Sequence, residues 1–178
     1  QHQLLYSFTK EEREEYLNKA LNLGTYQVSQ SKYTEFPGRI PAIDEYLQVQ
    51  STNYASITGK RIFFVPNFVN QSGRRLISDE QRKYPIRFKS AFYDIDTIQI
   101  ILPSNFQIES LPKDVSLHNQ FGEFEIKFKV TNNQVEVVRT QTRNIAEFSA
   151  TAYPELVDFF DKIYKADHQS VVFVKKGD

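Results

Sequence analysis

The sequence predicts a mainly β fold, a two-layer antiparallel β-sandwich with an N-terminal helix and one C-terminal helix packed on the sheets. Three observations carry this. From residue 45 onward, short alternating runs follow one another between turn residues, giving about eight or nine strands. Fifteen Phe and ten Tyr supply the aromatics that pleated, half-buried surfaces favour. Residues 121–143 read as a hairpin whose register is set by which residues can be buried. A closed barrel is the alternative arrangement of the same strands.

The first element is a helix over 9–23. Thr9 and Glu12 form the T-x-x-E pattern in which each side chain satisfies a first-turn amide. Glu11, Glu12, Glu14 and Glu15 crowd the positive end of the dipole. Tyr16, Leu17, Ala20, Leu21 and Leu23 make an apolar stripe, and Gly24 follows as a left-handed C′ residue. Residues 24–42 read as mixed, with turns at Pro37-Gly38 and Pro41. Residues 46–51 alternate as a strand, Thr58-Gly59 turns, and 60–66 is a second strand. Residues 67–83 are polar and read as a long mobile loop. Its basic pairs, Arg74-Arg75 and Arg82-Lys83, read as solvated charges.

Strands follow at 85–89, 91–102 and 106–111. Pro103 and Pro112 lack an amide proton, so they mark strand ends or sheet edges, with Ser104-Asn105 as the turn between. In the 121–143 hairpin, Asn132-Asn133 suits a two-residue type I′ loop. Pairing outward gives Thr131–Gln134, Val130–Val135, Lys129–Glu136 and Phe128–Val137. One face then carries Phe124, Ile126, Phe128, Val130, Val135 and Val137, and the other Glu125, Lys127, Lys129 and Glu136. A helix over 153–166 opens with Pro154 near its first position. Its apolar face includes Leu156, Phe159, Phe160 and Ile163. Residues 170–175 form the last strand.

Composition excludes several functions. Lys plus Arg and Asp plus Glu are both 22, without the basic excess typical of nucleic-acid binding. No apolar run approaches the ~20 residues of a membrane helix. The absence of Cys removes disulfides, a thiol nucleophile and Cys-ligated zinc from this chain. With no Met and a Gln1-His2-Gln3 start, the chain reads as a piece of a longer protein.

No catalytic, cofactor-binding or metal residues are assigned. His2, His118 and His168 show no metal-ligand spacing. Asp94 and Asp96 lie two apart on a strand and share a face. They read either as a solvent-facing edge or as a Ca²⁺ or carboxylate pair. Arg139 falls on the apolar face of the hairpin, as a snorkelling end-cap of the core or a partner of Glu147 or Asp158.

Short ordered stretches then carry a resemblance. They are residues 84–87 (YPIR), 98–106 (IQIILPSNF), 109–112 (ESLP), 121–124 (FGEF), Arg139, 153–156 (YPEL) and 165–167 (KAD). Over roughly 45–176 the chain resembles the C-terminal β-sandwich domain, of unknown function, of exported transglutaminase-like multidomain proteins of Gram-negative bacteria. Those proteins place a Cys-His-Asp triad in an upstream core, and this Cys-free chain has no position to receive it. The resemblance makes 1–44 a helical linker from that core and 45–178 the β-sandwich. It implies a periplasmic, outer-membrane or extracellular location. The leading reading is a non-catalytic accessory domain without a cofactor, whose partners are upstream domains of the same polypeptide. A carbohydrate or cell-wall binding module, contacting envelope glycan through exposed Tyr, is the alternative. An enzyme using Asp94, Asp96 or His118 in a cleft is a third.

Overall fold

The computed structural model of the protein describes residues 9–21, 23–37, 42–73, 75–79 and 81–177. His2, Gly38, Pro41 and Arg74 lie outside the described residues. The chain divides into two units, Gln1–Tyr54 and Ala55–Asp178.

In the first unit, helix α1 spans Lys10–Ala20 and its capping box forms as the sequence predicts. The Glu12 amide donates to Thr9 Oγ1 at 3.2 Å and the Thr9 amide to Glu12 Oε2 at 2.8 Å. The helix ends earlier than expected. Leu21 is already extended and donates its amide to the Leu17 carbonyl, so Gly24 is not a left-handed cap. Residues 24–42, read as mixed, hold a long strand instead. β1 (Thr25–Phe36) pairs antiparallel with β2 (Ala42–Thr52). A bulge between Val28 and Gln30 switches which residues share a face. The half-buried Tyr26, Val49, Leu47 and Tyr33 thereby line one side. Buried Leu17 belongs to α1, and Asn18 on the same helix accepts the Tyr26 hydroxyl at 2.8 Å.

The second unit carries the remaining strands. They are β3 (Ser56–Thr58), β4 (Arg61–Phe64), β5 (Ile86–Phe88), β6 (Phe92–Ile101), β7 (Phe106–Ser110), β8 (Val115–Asn119), β9 (Gly122–Thr131), β10 (Gln134–Arg143), β11 (Ala146–Phe148) and β12 (Val171–Lys175). Helix α2 (Tyr153–Asp167) precedes β12. Two four-stranded antiparallel sheets, in orders β6-β10-β9-β8 and β3-β4-β12-β7, keep free edges, so the barrel alternative is excluded. A small β11–β5 pair accompanies them. Both sheets and α2 feed one core, including Phe124, Ile126, Val135 and Val137, then Val171 and Phe173, then Leu156, Phe159 and Ile163. Burying each such side chain contributes about 1.5–3 kcal/mol. Phe88, Phe121 and Phe148 meet edge-on, at centroid distances of 4.8–6.3 Å, and tie β5 and β11 to that core.

The β9–β10 register is the one read from sequence, from Thr131–Gln134 through Phe128–Val137. The turn itself differs from type I′. Asn132 has φ 54°, but Asn133 is not in the left-handed region. Asn133 is recruited by β6: its carbonyl accepts the Leu102 amide at 3.0 Å and its side-chain amide donates to the Leu102 carbonyl at 2.5 Å. The proline punctuation holds. β6 and β7 are both edge strands, and they lie in different sheets, so residues 103–105 turn a corner of the sandwich. The Phe106 amide closes that corner on the Pro103 carbonyl at 3.0 Å, and the Lys176 amide reaches the Asn105 carbonyl at 2.9 Å.

Gly122 opens β9 at φ 149°, and a Cβ there would sit 2.2 Å from the Thr142 carbonyl oxygen. Gly122→Ala is therefore expected to lower unfolding stability by about 2 kcal/mol or more. Gly73→Ala, where a Cβ meets nothing within 4 Å, is expected to be close to neutral. Urea unfolding midpoints compare the two, and equal midpoints would refute the steric account.

Candidate functional site

The charged residues that sequence placed in doubt converge on one buried centre. Arg139 stands on β10, a strand with neighbours on both sides, and points into the core at 1% exposure. A guanidinium so placed needs anionic partners, because an unpaired buried charge is very costly. Asp167, also 1% exposed, takes its fork. Arg139 Nε lies 2.7 Å from Asp167 Oδ1, and Nη2 lies 3.2 Å from Oδ2. Arg139 Nη1 reaches Asp96 Oδ2 at 3.2 Å from the facing position on β6, and Nη2 donates to Gln141 Oε1 at 2.7 Å. The Phe124 ring lies under the guanidinium, 5.2 Å from its carbon. Planarity and fixed donor geometry make arginine, rather than lysine, suited to this position.

The carboxylates need further donors, and the 67–72 segment supplies them. Asn67 Nδ2 donates to Asp167 Oδ1 at 3.1 Å, and the Ser72 amide to Oδ2 at 3.0 Å. Gln71 Nε2 binds the Asp167 carbonyl at 3.2 Å. Asn70 Nδ2 donates to Asp96 Oδ1 at 2.7 Å, while its amide is held by Asn67 Oδ1. Further along, Arg75 pairs with Asp161 on α2, and the Ile77 carbonyl accepts the Tyr153 hydroxyl at 3.0 Å. The loop expected to be mobile is thus tied to α2 and to the buried pair.

These contacts correct several expectations. Arg139 does not snorkel, and neither Glu147 nor Asp158 is its partner: Glu147 pairs with Arg87 and Asp158 with Lys162. Asp96 leaves the solvent-facing reading for the buried centre, while Asp94 stays exposed. His118 is exposed and faces Glu123 Oε1 at 2.8 Å. His168 stacks on Tyr164 at 3.9 Å, with Nδ1 2.7 Å from the Tyr164 carbonyl. Asp94 and Asp96 lie on β6 and His118 on β8, at opposite edges of one four-stranded sheet. Among the described residues, no group of three or more candidate metal-binding side chains converges. Exposed Tyr46, Tyr84 and Tyr93 sit on β2, before β5 and on β6, so among the described residues no strand carries a row of exposed Tyr.

Sequence reasoning missed Asp167 as the key partner, along with Asn67 and Asn70. One signal for Asp167 was present. It ends a helix, where the dipole disfavours a carboxylate, so a cation had to be close by. Chemically the centre is saturated. Asp167 accepts four hydrogen bonds through its carboxylate, and a guanidinium cannot serve as a proton donor near neutral pH. The arrangement fixes a loop to a sheet and a helix.

The family model described as Domain of Unknown Function with solved-structure structure (DUF3858) matches residues 60–173, which contain this whole centre. A comparison with curated proteins finds no match. Among solved structures, the chain is similar to a "putative protease" from Parabacteroides distasonis ATCC 8503. The identity is 16% and the TM-score 0.47, over 55% of this chain and 19% of that one.

Two predictions follow from the geometry. Arg139→Ala strands Asp167 as a buried charge and is expected to cost about 3–5 kcal/mol. The Arg139→Met/Asp167→Leu pair is expected to cost less than its two single changes together, and the Ser72 amide to lose hydrogen-exchange protection in each variant. Strictly additive losses would show that the two charges do not act as a unit.

The Lys165 ammonium, and behind it the Arg75 guanidinium, hold the Asp161 carboxyl below its ordinary range against the opposing effect of desolvation. A depressed folded-state pKa gives stability that is present above the unfolded value. That stability disappears as pH falls through the folded one. Lys165→Gln is expected to raise the Asp161 titration midpoint, and Arg75→Gln to raise it less. Carbon-detected NMR titration reads both, and an unmoved midpoint would dissolve the link.

Proposed function

The chain belongs to the DUF3858 family, matched over residues 60–173; from the resemblance carried by its short ordered stretches, we propose that it is a non-catalytic accessory domain of a larger exported protein with a transglutaminase-like core. The carrying observation is the Arg139 centre. Its charged groups point at one another and at the 67–72 segment, so they rigidify the domain instead of facing a substrate. With no Cys in the sequence, a nucleophile of the transglutaminase kind has to come from elsewhere in the polypeptide. The other candidate groups, His118 and Asp94, are exposed and on separate strands.

Large apolar side chains left in solvent support a packing role. Ile77, Tyr84 and Ile145 are all exposed in segments between strands, and we assign them to the surface that the upstream core would cover. The exported location rests on the resemblance carried by residues 84–87, 98–106 and 153–156.

The test is calorimetric titration of this chain against the separately produced upstream core. Binding with a negative heat-capacity change is expected, the signature of buried apolar area. A folded chain that leaves the core's heat unchanged would sink the accessory reading, as would transamidating or hydrolytic activity in this chain alone.

A further inference from the structure

Along its middle, the edge strand β6 is flanked. The Asn67–Val69 segment runs beside Ile95–Gln99, and between the two lies a crevice of about 480 Å³, half open to solvent. Its lips are apolar: Val69 is 48% exposed and Ile95 54%. Phe68 and Ile98 line it further in. Among the described residues, the walls carry no Lys, Arg or His. The charged residue in the lining is Asp96, whose side chain keeps 17% exposure.

Asp167 is saturated with donors, but Asp96 is not. Its Oδ1 takes Asn70 at 2.7 Å and its Oδ2 takes Arg139 at 3.2 Å, and each carboxylate oxygen has room for a second donor. Charge is also left over. Two carboxylates face one guanidinium, and the donors added by Asn67, Asn70 and Ser72 are neutral, so the centre retains one negative charge. Helix α2 ends at Asp167 and brings the negative end of its dipole to the same place. Exposed Asp94 stands two residues before Asp96 on the same face of β6. The backbone adds acceptors. Leu102 donates to the Asn133 carbonyl in line with the strand register, so Asp96 and Ile98 bond inward to β10, and Ile95 and Thr97 turn their carbonyls away from it, on the crevice side.

We propose that this crevice seats a lysine side chain presented by a partner protein, its ammonium on Asp96 and its alkyl stem between Val69 and Ile95. Charge complementarity selects a cation, because the acidic excess of the Arg139 centre reaches solvent through Asp96. The donor pattern selects an ammonium. It is a compact charge with three donors, suited to the remaining lone pair of an Asp96 oxygen and to the Ile95 and Thr97 carbonyls. An arginine fork asks for two open acceptors in one plane, and both Asp96 oxygens are already engaged. The apolar lips match the stem, since lysine buries its methylenes along apolar surface while the charged head stays near water. The half-open shape suits a side chain tethered to another surface, whereas a free small ligand calls for a pocket that encloses most of it.

Amide NMR titration of this chain tests the assignment, with three probes: the peptide acetyl-Gly-Lys-Gly-amide, n-butylammonium chloride and uncharged n-butanol. The peptide and the butylammonium are expected to give saturable shifts at Phe68, Val69 and residues 95–99, with dissociation constants on the order of a few mM. Butanol is expected to bind at least about tenfold more weakly, lacking the charge-assisted bond. Asp96→Asn removes the excess charge and is expected to weaken the peptide about tenfold. Because that change also touches the Arg139 centre, Asp94→Asn at an exposed site serves as the second variant, with an expected loss of about two- to threefold. Circular dichroism establishes that each variant is folded. Shifts that do not saturate, or butanol binding as tightly as butylammonium, would overturn the proposal. So would peptide affinity that Asp94→Asn and a folded Asp96→Asn both leave unchanged. Binding of the free amine without the peptide would overturn the assignment to a protein lysine.

Discussion

The second unit is organised around a guanidinium that has almost no contact with solvent. Arg139 occupies a β10 position that the hairpin's alternation assigns to the core, between the surroundings of Val137 and Phe124. Once a charge sits there, its counter-charges must come from elements that can reach it. Asp96 comes from the neighbouring strand and Asp167 from the end of a helix. Two carboxylates against one cation leave an excess of acceptors, so amide donors have to be recruited, and residues 67–72 lie where they can donate. The loop's path thus follows from electrostatics rather than from apolar burial. A buried ion pair adds little net stability over a well-packed apolar cluster. Its effect is geometric, because every alternative placement of α2 or of the loop strands a charge.

Features governed by period and by residue type were legible in the sequence. The hairpin register, the two prolines at edge-strand ends, Pro154 at the start of α2 and the capping box of α1 all follow from local rules. Features governed by distant partners were not. β1 escaped because its bulge moves the apolar set from even positions, Tyr26 and Val28, to odd ones such as Tyr33, and this breaks the alternation that would announce a strand. The pinned loop escaped because Asn67 and Asn70 resemble ordinary loop polar residues until Asp167 and Asp96 are placed beside them. β11, three residues long, offers too short a period to read.

Arg139 was visible as an anomaly on an apolar face, yet its partner was not, since 28 residues and a helix separate it from Asp167. An anomaly of residue type shows where a constraint lies without showing what satisfies it.

The place of β12 has a consequence for synthesis. This strand follows all the others of its unit in the chain, yet it lies between β4 and β7, bonded to both. While the unit emerges from a ribosome, β4 and β7 are made long before the strand that joins them, and their sheet stays divided until residue 175 is free. Asp167 is also among the late residues, so Arg139 waits for its counter-ion over the same interval. The unit therefore cannot mature progressively from its N-terminal side. Its apolar surfaces remain open in the nascent chain until β12 itself has been translated, and a chain cut short before β12 would present those surfaces to chaperones and proteases.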